Sequence, residues 1–109
     1  RAMVYTGTHD NNTSRGWYEE APDDEKHRAR TYLGVDGSDM AWTLMQTAWG
    51  SRADWAMAPV QDVFDLGSEH RMNTPGTSEG NWTWRLTPDR LASDWTASLA
   101  RLTEETGRA

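Results

Sequence analysis

Side chains that could do chemistry are concentrated in two stretches of the chain. The first stretch, Thr8-His9-Asp10-Asn11-Asn12, directly follows a short β-favouring run at 3–6. The second follows a compact apolar run at 55–60 and contains Gln61, Asp62, Glu69, His70, Arg71 and Asn73. Ligands of parallel α/β folds gather at the carboxyl ends of the strands, so we expect both stretches on one face. Carboxylate and amide groups there can form several hydrogen bonds to a hydroxyl-rich ligand.

Two other interpretations of these stretches are open. Asn, Asp, Thr and Gly are also the residues of ordinary turns, so both stretches can be plain loops. His9 and Asp10 could ligate a metal ion, but adjacent residues of a strand point to opposite faces. The sequence offers no suitably spaced third ligand, and we expect neither a metal nor a nucleotide cofactor.

The first half of the chain predicts a strand, a loop and two helices. The strand at 3–6 is followed by a polar loop at 7–16. A helix is expected from Pro22 to Gly34, with acidic residues in its first turn. Its thin apolar face consists of Ala29, Tyr32 and Leu33. Ser38 or Asp39 can cap a second helix, which ends at Gly50. The predicted buried face of this second helix contains Ala41, Leu44, Met45, Ala48 and Trp49.

The second half predicts one more strand, a long loop and one helix. The run at 55–60 is typical of a buried strand, with Pro59 near its end. The segment 61–81 is rich in Gly, Ser, Thr, Asn and Pro and is expected to be a long functional loop. Thr87, Pro88 and Asp89 predict the start of a terminal helix that Gly107 ends. The apolar stripe of this helix consists of Leu91, Trp95, Leu99 and Leu102.

This order of elements predicts an α/β fold. Strands that alternate with helices are typical of parallel β/α units, but two strands alone do not make a sheet with both faces covered. A (β/α)8 barrel needs about 250 residues, so a chain of 109 residues supplies only its last quarter or so. The low content of Leu, Val, Phe and Ile fits a piece whose core is completed elsewhere. The chain begins with Arg1, which we interpret as the mark of a longer protein.

Composition excludes several classes of function. The net charge is −6, with 17 acidic residues against 11 Lys and Arg, which argues against binding to a nucleic-acid backbone. The absence of Cys excludes disulfide scaffolds and zinc–cysteine sites. It is also compatible with the cytoplasmic location that we expect. No apolar stretch approaches the ~18 residues of a membrane span. From the charge and from this absence, respectively, we expect neither a nucleic acid nor a membrane as a partner.

Three segments, in order along the chain, resemble one enzyme family. Val4-Tyr5-Thr6-Gly7-Thr8-His9-Asp10-Asn11 resembles the last catalytic segment of 4-α-glucanotransferases of the amylomaltase (disproportionating enzyme) family. Pro59-Val60-Gln61-Asp62, Leu66-Gly67-Ser68-Glu69 and Arg71-Met72-Asn73-Thr74-Pro75-Gly76 resemble the stretch after that family's final barrel strand. Gly80-Asn81-Trp82, with Trp84-Arg85-Leu86, completes the resemblance.

The resemblance implies a C-terminal fragment of a (β/α)8 TIM barrel. Residues 1–86 would supply its last two strands with their helices and a long active-site loop, and residues 87–109 a terminal helix packing on the barrel. The family transfers α-1,4-glucan segments between maltooligosaccharides, in glycogen, starch or maltose metabolism, by a retaining double displacement. The implied partners are α-1,4-glucans and the missing upstream part of the same barrel.

The resemblance also implies roles for individual residues. Asp10 matches the catalytic carboxylate that stabilises the transition state by holding sugar hydroxyls. His9 and Asn73 match residues that bind substrate. A supporting role behind them falls to Gln61, Asp62 and Arg71. The family's nucleophile and acid/base lie upstream and have no counterpart here, so the fragment alone is expected to be inactive.

Some features depart from the family pattern or allow another function. Asn12 stands where many relatives carry Asp, and His70 where a small residue is common. The seven Trp would also suit a stand-alone α-glucan-binding module, and a related α-glucan hydrolase or a non-catalytic interaction protein is a further alternative. Trp82 and Trp84 would face opposite ways in an extended segment. One could stack on a sugar, although we expect both to pack under the loop.

Overall fold

The structure contains a two-stranded parallel sheet that joins the two halves of the sequence. The computed structural model describes residues 2–108. Strand β1 (Met3–Tyr5) pairs in parallel with β2 (Trp55–Met57), and Val4 lies opposite Ala56. The predicted parallel arrangement is therefore confirmed, with both strands shorter than expected. The helices are α1 (Ser14–Glu20), α2 (Asp23–Leu33), α3 (Met40–Trp49), α4 (Val60–Val63), α5 (Pro88–Leu91) and α6 (Trp95–Glu105).

Helix α1 was not predicted, and the expected loop at 7–16 ends three residues early. The helix begins at Ser14 because Thr13 caps it: the Thr13 hydroxyl accepts a hydrogen bond from the Gly16 amide at 3.1 Å. Gly16 lies inside the helix, where a Cβ would come within 2.6 Å of the Asn12 side-chain oxygen. The absence of a side chain at this position lets α1 approach the polar loop that follows β1.

Helix α2 has the predicted bounds but not the predicted buried face. It runs from Asp23 to Leu33, and Gly34 ends it in the left-handed conformation with φ 69°. No residue of α2 is buried, and Tyr32 is 89% exposed. The predicted face is therefore only partly covered: Ala29 and Leu33 are partly buried, while Tyr32 projects away from the rest of the structure.

Helix α3 supplies most of the core. Its buried side chains are Met40, Ala41, Met45, Ala48 and Trp49, and Leu44 is only partly buried. Met45, Ala48 and Trp49 pack with Leu102 of α6, and Val4 and Ala56 from the two strands join them. The predicted face of α3 is thus largely confirmed.

The terminal segment forms two helices instead of the single one predicted from Thr87. The chain leaves the helical conformation between α5 and α6, so Leu91 is 61% exposed while Leu102 is 3% exposed. The end of α6 is tied down by Arg108, whose guanidinium donates to the carbonyls of Trp49 (2.6 Å), Ala53 (3.0 Å) and Ser51 (3.1 Å). This contact holds α6 against the turn that joins α3 to β2.

The predicted strand at 55–60 and loop at 61–81 divide differently in the structure. Pro59, with φ −62°, is the N-cap residue directly before the short helix α4, and the strand ends before it, at Met57. The following segment contains α4 and a 3-10 turn at Ser68–His70. Regular structure therefore places Gln61 and Asp62 directly behind the end of β2.

The sheet has one covered face and one exposed face. Val4 and Ala56 point to the core, while their neighbours on the opposite face are 45–60% exposed. These exposed residues are Met3, Tyr5, Trp55 and Met57. The expectation of a buried strand at 55–60 therefore holds on only one side of the sheet. Within residues 2–108, no helix is long and apolar enough to cross a membrane.

Candidate active site

His9 and Asp10 lie in a turn at the carboxyl end of β1. The Asn11 amide donates to the Thr8 carbonyl at 3.1 Å, and the Asn11 side-chain oxygen accepts from the Thr8 amide at 2.9 Å. Because this segment is a turn and not an extended strand, the two side chains are not forced apart. His9 Nε2 lies 3.3 Å from Asp10 Oδ2, and both side chains are about half exposed.

The long loop after β2 reaches back to Asp10. Asn73 Nδ2 donates to Asp10 Oδ1 at 2.7 Å. The Arg71 guanidinium donates both to the Asp10 carbonyl (2.8 Å) and to the Asn73 carbonyl (2.7 Å). The structure thus brings Asp10, Asn73 and Arg71 together although more than sixty positions separate them in the sequence.

Asp62 joins the two ends of the loop that carries His9 and Asp10. Its carboxylate is 2% exposed and accepts hydrogen bonds from the Thr6 hydroxyl (2.6 Å) and from Ser14, through both hydroxyl (2.7 Å) and amide (2.9 Å). Three donors thus satisfy this buried carboxylate, as burial of a charge requires. Sequence reasoning missed Thr6 and Ser14, because hydroxyl residues near a turn carry no specific signal of such a contact.

Gln61 connects helix α4 to the 3-10 turn at Ser68–His70. It is 8% exposed, and its side-chain amide donates to the His70 carbonyl at 3.3 Å. His70 itself accepts a hydrogen bond at Nδ1 from the Trp84 indole, at 2.9 Å. Gln61 therefore supports the long loop after β2 through the His70 backbone. Trp84 contacts the same loop through the His70 side chain.

Asn12, Ser68 and Glu20 form a second link between the loops. Asn12 Nδ2 donates to Ser68 Oγ (3.0 Å) and to Glu20 Oε2 (3.2 Å), and the Ser68 hydroxyl also donates to Glu20. Hydrogen bonds from Ser68 and then Asn12 to its charged form lower the pKa of the Glu20 carboxyl.

This link predicts a pKa change on substitution of Ser68. We expect Ser68→Ala to raise the pKa of Glu20 toward its ordinary value, and Asn12→Ala to raise it less, because the Ser68 bond is the larger cause. Carboxyl 13C NMR titrations of the three proteins measure this. Since folding lowers the pKa, Glu20 stabilises the fold above its unfolded pKa of about 4.3, and this contribution disappears as the pH falls through the folded pKa. An unchanged Glu20 titration in Ser68→Ala would contradict the link.

A cavity of about 520 Å³ opens at the carboxyl ends of both strands. Its wall includes the last strand residues Tyr5 and Met57 and three of the predicted site residues, His9, Gln61 and Arg71. Asp10 and Asn73 lie beside this wall, and their chain neighbours His9 and Met72 form part of it. A polar edge next to an apolar cavity is typical of small-molecule sites.

Trp82 also lines this cavity, against expectation. Its side chain is 55% exposed, so the prediction that both Trp82 and Trp84 pack under the loop is wrong for Trp82. The Trp82 ring lies 4.9 Å from the His9 ring, centroid to centroid. Among the described residues, no group of three His, Asp or Glu side chains is arranged to hold a metal ion.

The fold and the cavity define an α/β protein with a polar site at the carboxyl ends of parallel strands. The 4-alpha-glucanotransferase family model matches residues 1–92. A 4-alpha-glucanotransferase of Synechocystis is 47% identical over 98% of this chain, and that of Thermus thermophilus is 46% identical over 99%. Amylomaltase from Streptococcus agalactiae, solved in complex with acarbose, superposes with a TM-score of 0.90 over 98% of this chain at 30% identity.

The chain belongs to the 4-alpha-glucanotransferase family. It spans 21% of the Synechocystis relative, 23% of the Thermus thermophilus relative and 22% of the Streptococcus agalactiae structure. About four-fifths of each relative therefore has no counterpart in this chain.

Proposed function

We propose that the chain is the part of a 4-α-glucanotransferase that supplies the transition-state-stabilising carboxylate, Asp10. The complete enzyme transfers α-1,4-glucan segments between maltooligosaccharides by a retaining double displacement. The nucleophile and the acid/base lie outside this chain. The observation that carries the proposal is the placement of Asp10 beside the cavity, between His9 and Asn73, in a chain of this family.

The contacts of Asp10 suit a role in holding sugar hydroxyls. One carboxylate oxygen accepts from Asn73, and the other faces His9 Nε2. Each carboxylate oxygen can accept about two hydrogen bonds, so each retains capacity for a hydroxyl donor. The side chain is 54% exposed, which leaves it accessible to a ligand. Hydrogen bonds to sugar hydroxyls that strengthen as the ring becomes oxocarbenium-like lower the barrel enzyme's reaction barrier.

The other predicted residues take supporting places around Asp10. His9 and Asn73 each lie within reach of both Asp10 and an approaching sugar, and we assign them to substrate binding. Arg71 fixes the backbone of Asp10 and Asn73 together. Gln61 and Asp62 hold the two loops from behind.

The exposed face of the sheet supports the placement in a (β/α)8 barrel. Four large apolar side chains project from it, two from each strand. A closed barrel would bury this face against side chains from its other strands. We therefore infer that residues 1–86 are the last part of the barrel and that residues 87–109 pack on its outside, where α6 already contacts α3.

A chimera tests this function. It is made by replacing the matching segment of the Thermus thermophilus 4-alpha-glucanotransferase with this chain. We expect the chimera to convert maltotriose into glucose and longer glucans, while the 109-residue chain alone leaves maltotriose unchanged. Transfer conserves the number of reducing ends and hydrolysis increases it, so a reducing-end assay separates the two reactions. A chimera that folds but leaves maltotriose intact would contradict the proposal, and a rising count of reducing ends would identify a hydrolase.

A further inference from the structure

Trp82 has a backbone conformation that is unusual for its residue type. Its φ is 61°, one of two positive values at non-glycine residues in the described chain. Side chains with a Cβ avoid this region, and bulky residues are rare there. Such conformations persist where the surrounding structure enforces them, and they cluster at ligand sites.

A closed loop enforces the conformation of Trp82. We define this loop as residues 72–82. The Trp82 amide donates to the Met72 carbonyl at 2.8 Å, which joins the two ends. Inside the loop, Asn81 accepts from the Thr74 amide at 2.8 Å and donates to the Thr77 carbonyl at 3.2 Å. The loop also carries Asn73, so one rigid unit positions both the amide that bonds Asp10 and the Trp82 indole.

The Trp82 indole combines contact with exposure. It lies against the His9 ring at 4.9 Å with the two planes tilted by 42°. More than half of its surface nevertheless remains exposed, in the wall of the cavity. An apolar ring held in place beside hydrogen-bonding groups offers a pyranose its two requirements, an apolar surface and polar partners.

We propose that Trp82 is a substrate-binding residue whose indole face packs against a glucose ring held by Asp10, His9 and Asn73. This rests on the proposed function, because it assigns the ligand of the same cavity. Trp82 binds the sugar without taking part in bond breaking, so its contact has similar strength in the ground state and the transition state. Loss of such a contact raises KM and leaves kcat nearly unchanged.

Three substitutions in the chimera separate the indole from the backbone. Trp82→Ala and Trp82→Gly both remove the ring, but Gly adopts a φ of 61° without strain, whereas the Cβ of Ala keeps the strain that Trp82 has. Trp82→Phe retains an aromatic surface. Tyr32→Ala is the control, because Tyr32 is 89% exposed on α2. KM and kcat for maltotriose, the dissociation constant for acarbose and the Tm are measured for each protein.

We expect Trp82→Ala and Trp82→Gly to raise the KM and the acarbose dissociation constant equally, by about tenfold. The Tm should be higher for Trp82→Gly than for Trp82→Ala. Trp82→Phe should recover most of the affinity, and Tyr32→Ala should match the unsubstituted chimera. A purely structural role would lower the Tm and the active fraction, and hence kcat, without moving KM.

Unchanged KM and acarbose affinity in both Trp82→Ala and Trp82→Gly would overturn this proposal. The same experiment includes Asp10→Asn as a reference. If Asp10→Asn abolishes transfer while the Trp82 variants behave normally, only the role of Trp82 fails. If Asp10→Asn is fully active, the proposed function itself fails.

Discussion

Asp10→Asn in the chimera is expected to reduce glucan transfer at least ~100-fold, the scale of a single transition-state contact. The amide keeps the size of the carboxylate but carries no charge to stabilise a developing oxocarbenium ion. It also replaces one acceptor oxygen by a donor, so a single acceptor oxygen remains for the Asn73 amide and the sugar hydroxyls. The initial rate of glucose release from maltotriose measures the effect.

The fold should survive this substitution, because the Asp10 side chain is half exposed and makes no contact with the core. The circular dichroism spectrum and Tm of Asp10→Asn should therefore match those of the unsubstituted chimera. Asp23→Asn is the matched control, since Asp23 is an exposed carboxylate in the first turn of α2. Turnover of Asp10→Asn equal to that of Asp23→Asn would remove Asp10 from the mechanism.

Asp62→Ala is expected to release the loop that carries His9 and Asp10. The substitution leaves the buried amide and hydroxyl of Ser14 and the hydroxyl of Thr6 without their acceptor. Loss of these hydrogen bonds to a charged group, together with the cost of the buried donors left unpaired, lowers the free energy of opening by about 3 kcal/mol. Peptides that cover residues 6–14 should then exchange amide hydrogens about 100-fold faster, as measured by mass spectrometry of the chimera.

Two related variants define the origin of this effect. Asp62→Asn retains one acceptor oxygen and should give an intermediate rate of exchange. Asp65→Ala removes a carboxylate that pairs with Arg15, the residue after Ser14 in α1. Because the Asp65 side chain is 32% exposed, this substitution should lower the free energy of opening less, by up to about 1 kcal/mol. Equal exchange rates in Asp62→Ala and the unsubstituted chimera would show that the buried contacts do not hold the loop.

Local signals in the sequence predicted helix boundaries better than they predicted which helices were continuous or buried. Pro22 and Gly34 bound α2 because capping depends on a few neighbouring residues. The break between α5 and α6 was missed because the apolar stripe continues across it. The burial of Tyr32 was also predicted wrongly, since burial depends on what another segment places against the helix.

The candidate site was likewise predicted only in part, because some of its features depend on contacts between distant segments. The rule that ligands gather at the carboxyl ends of parallel strands brought Asp10 and Asn73 to the same face, and the structure pairs them. The exposure of Trp82 was predicted wrongly, because it depends on the closure of the loop at 72–82. The sequence does not reveal the hydrogen bond from the Trp82 amide to the Met72 carbonyl that orients the ring.

The most direct test of the central claim is a crystal structure of the chimera with acarbose. We expect acarbose in the cavity at the ends of β1 and β2, with hydroxyl oxygens of one ring within ~3 Å of the Asp10 carboxylate. Asn73 and His9 should remain in contact with Asp10 in that complex. Acarbose bound away from this cavity, with the Asp10 carboxylate facing only Asn73 and His9, would contradict the assignment of Asp10 to the sugar site.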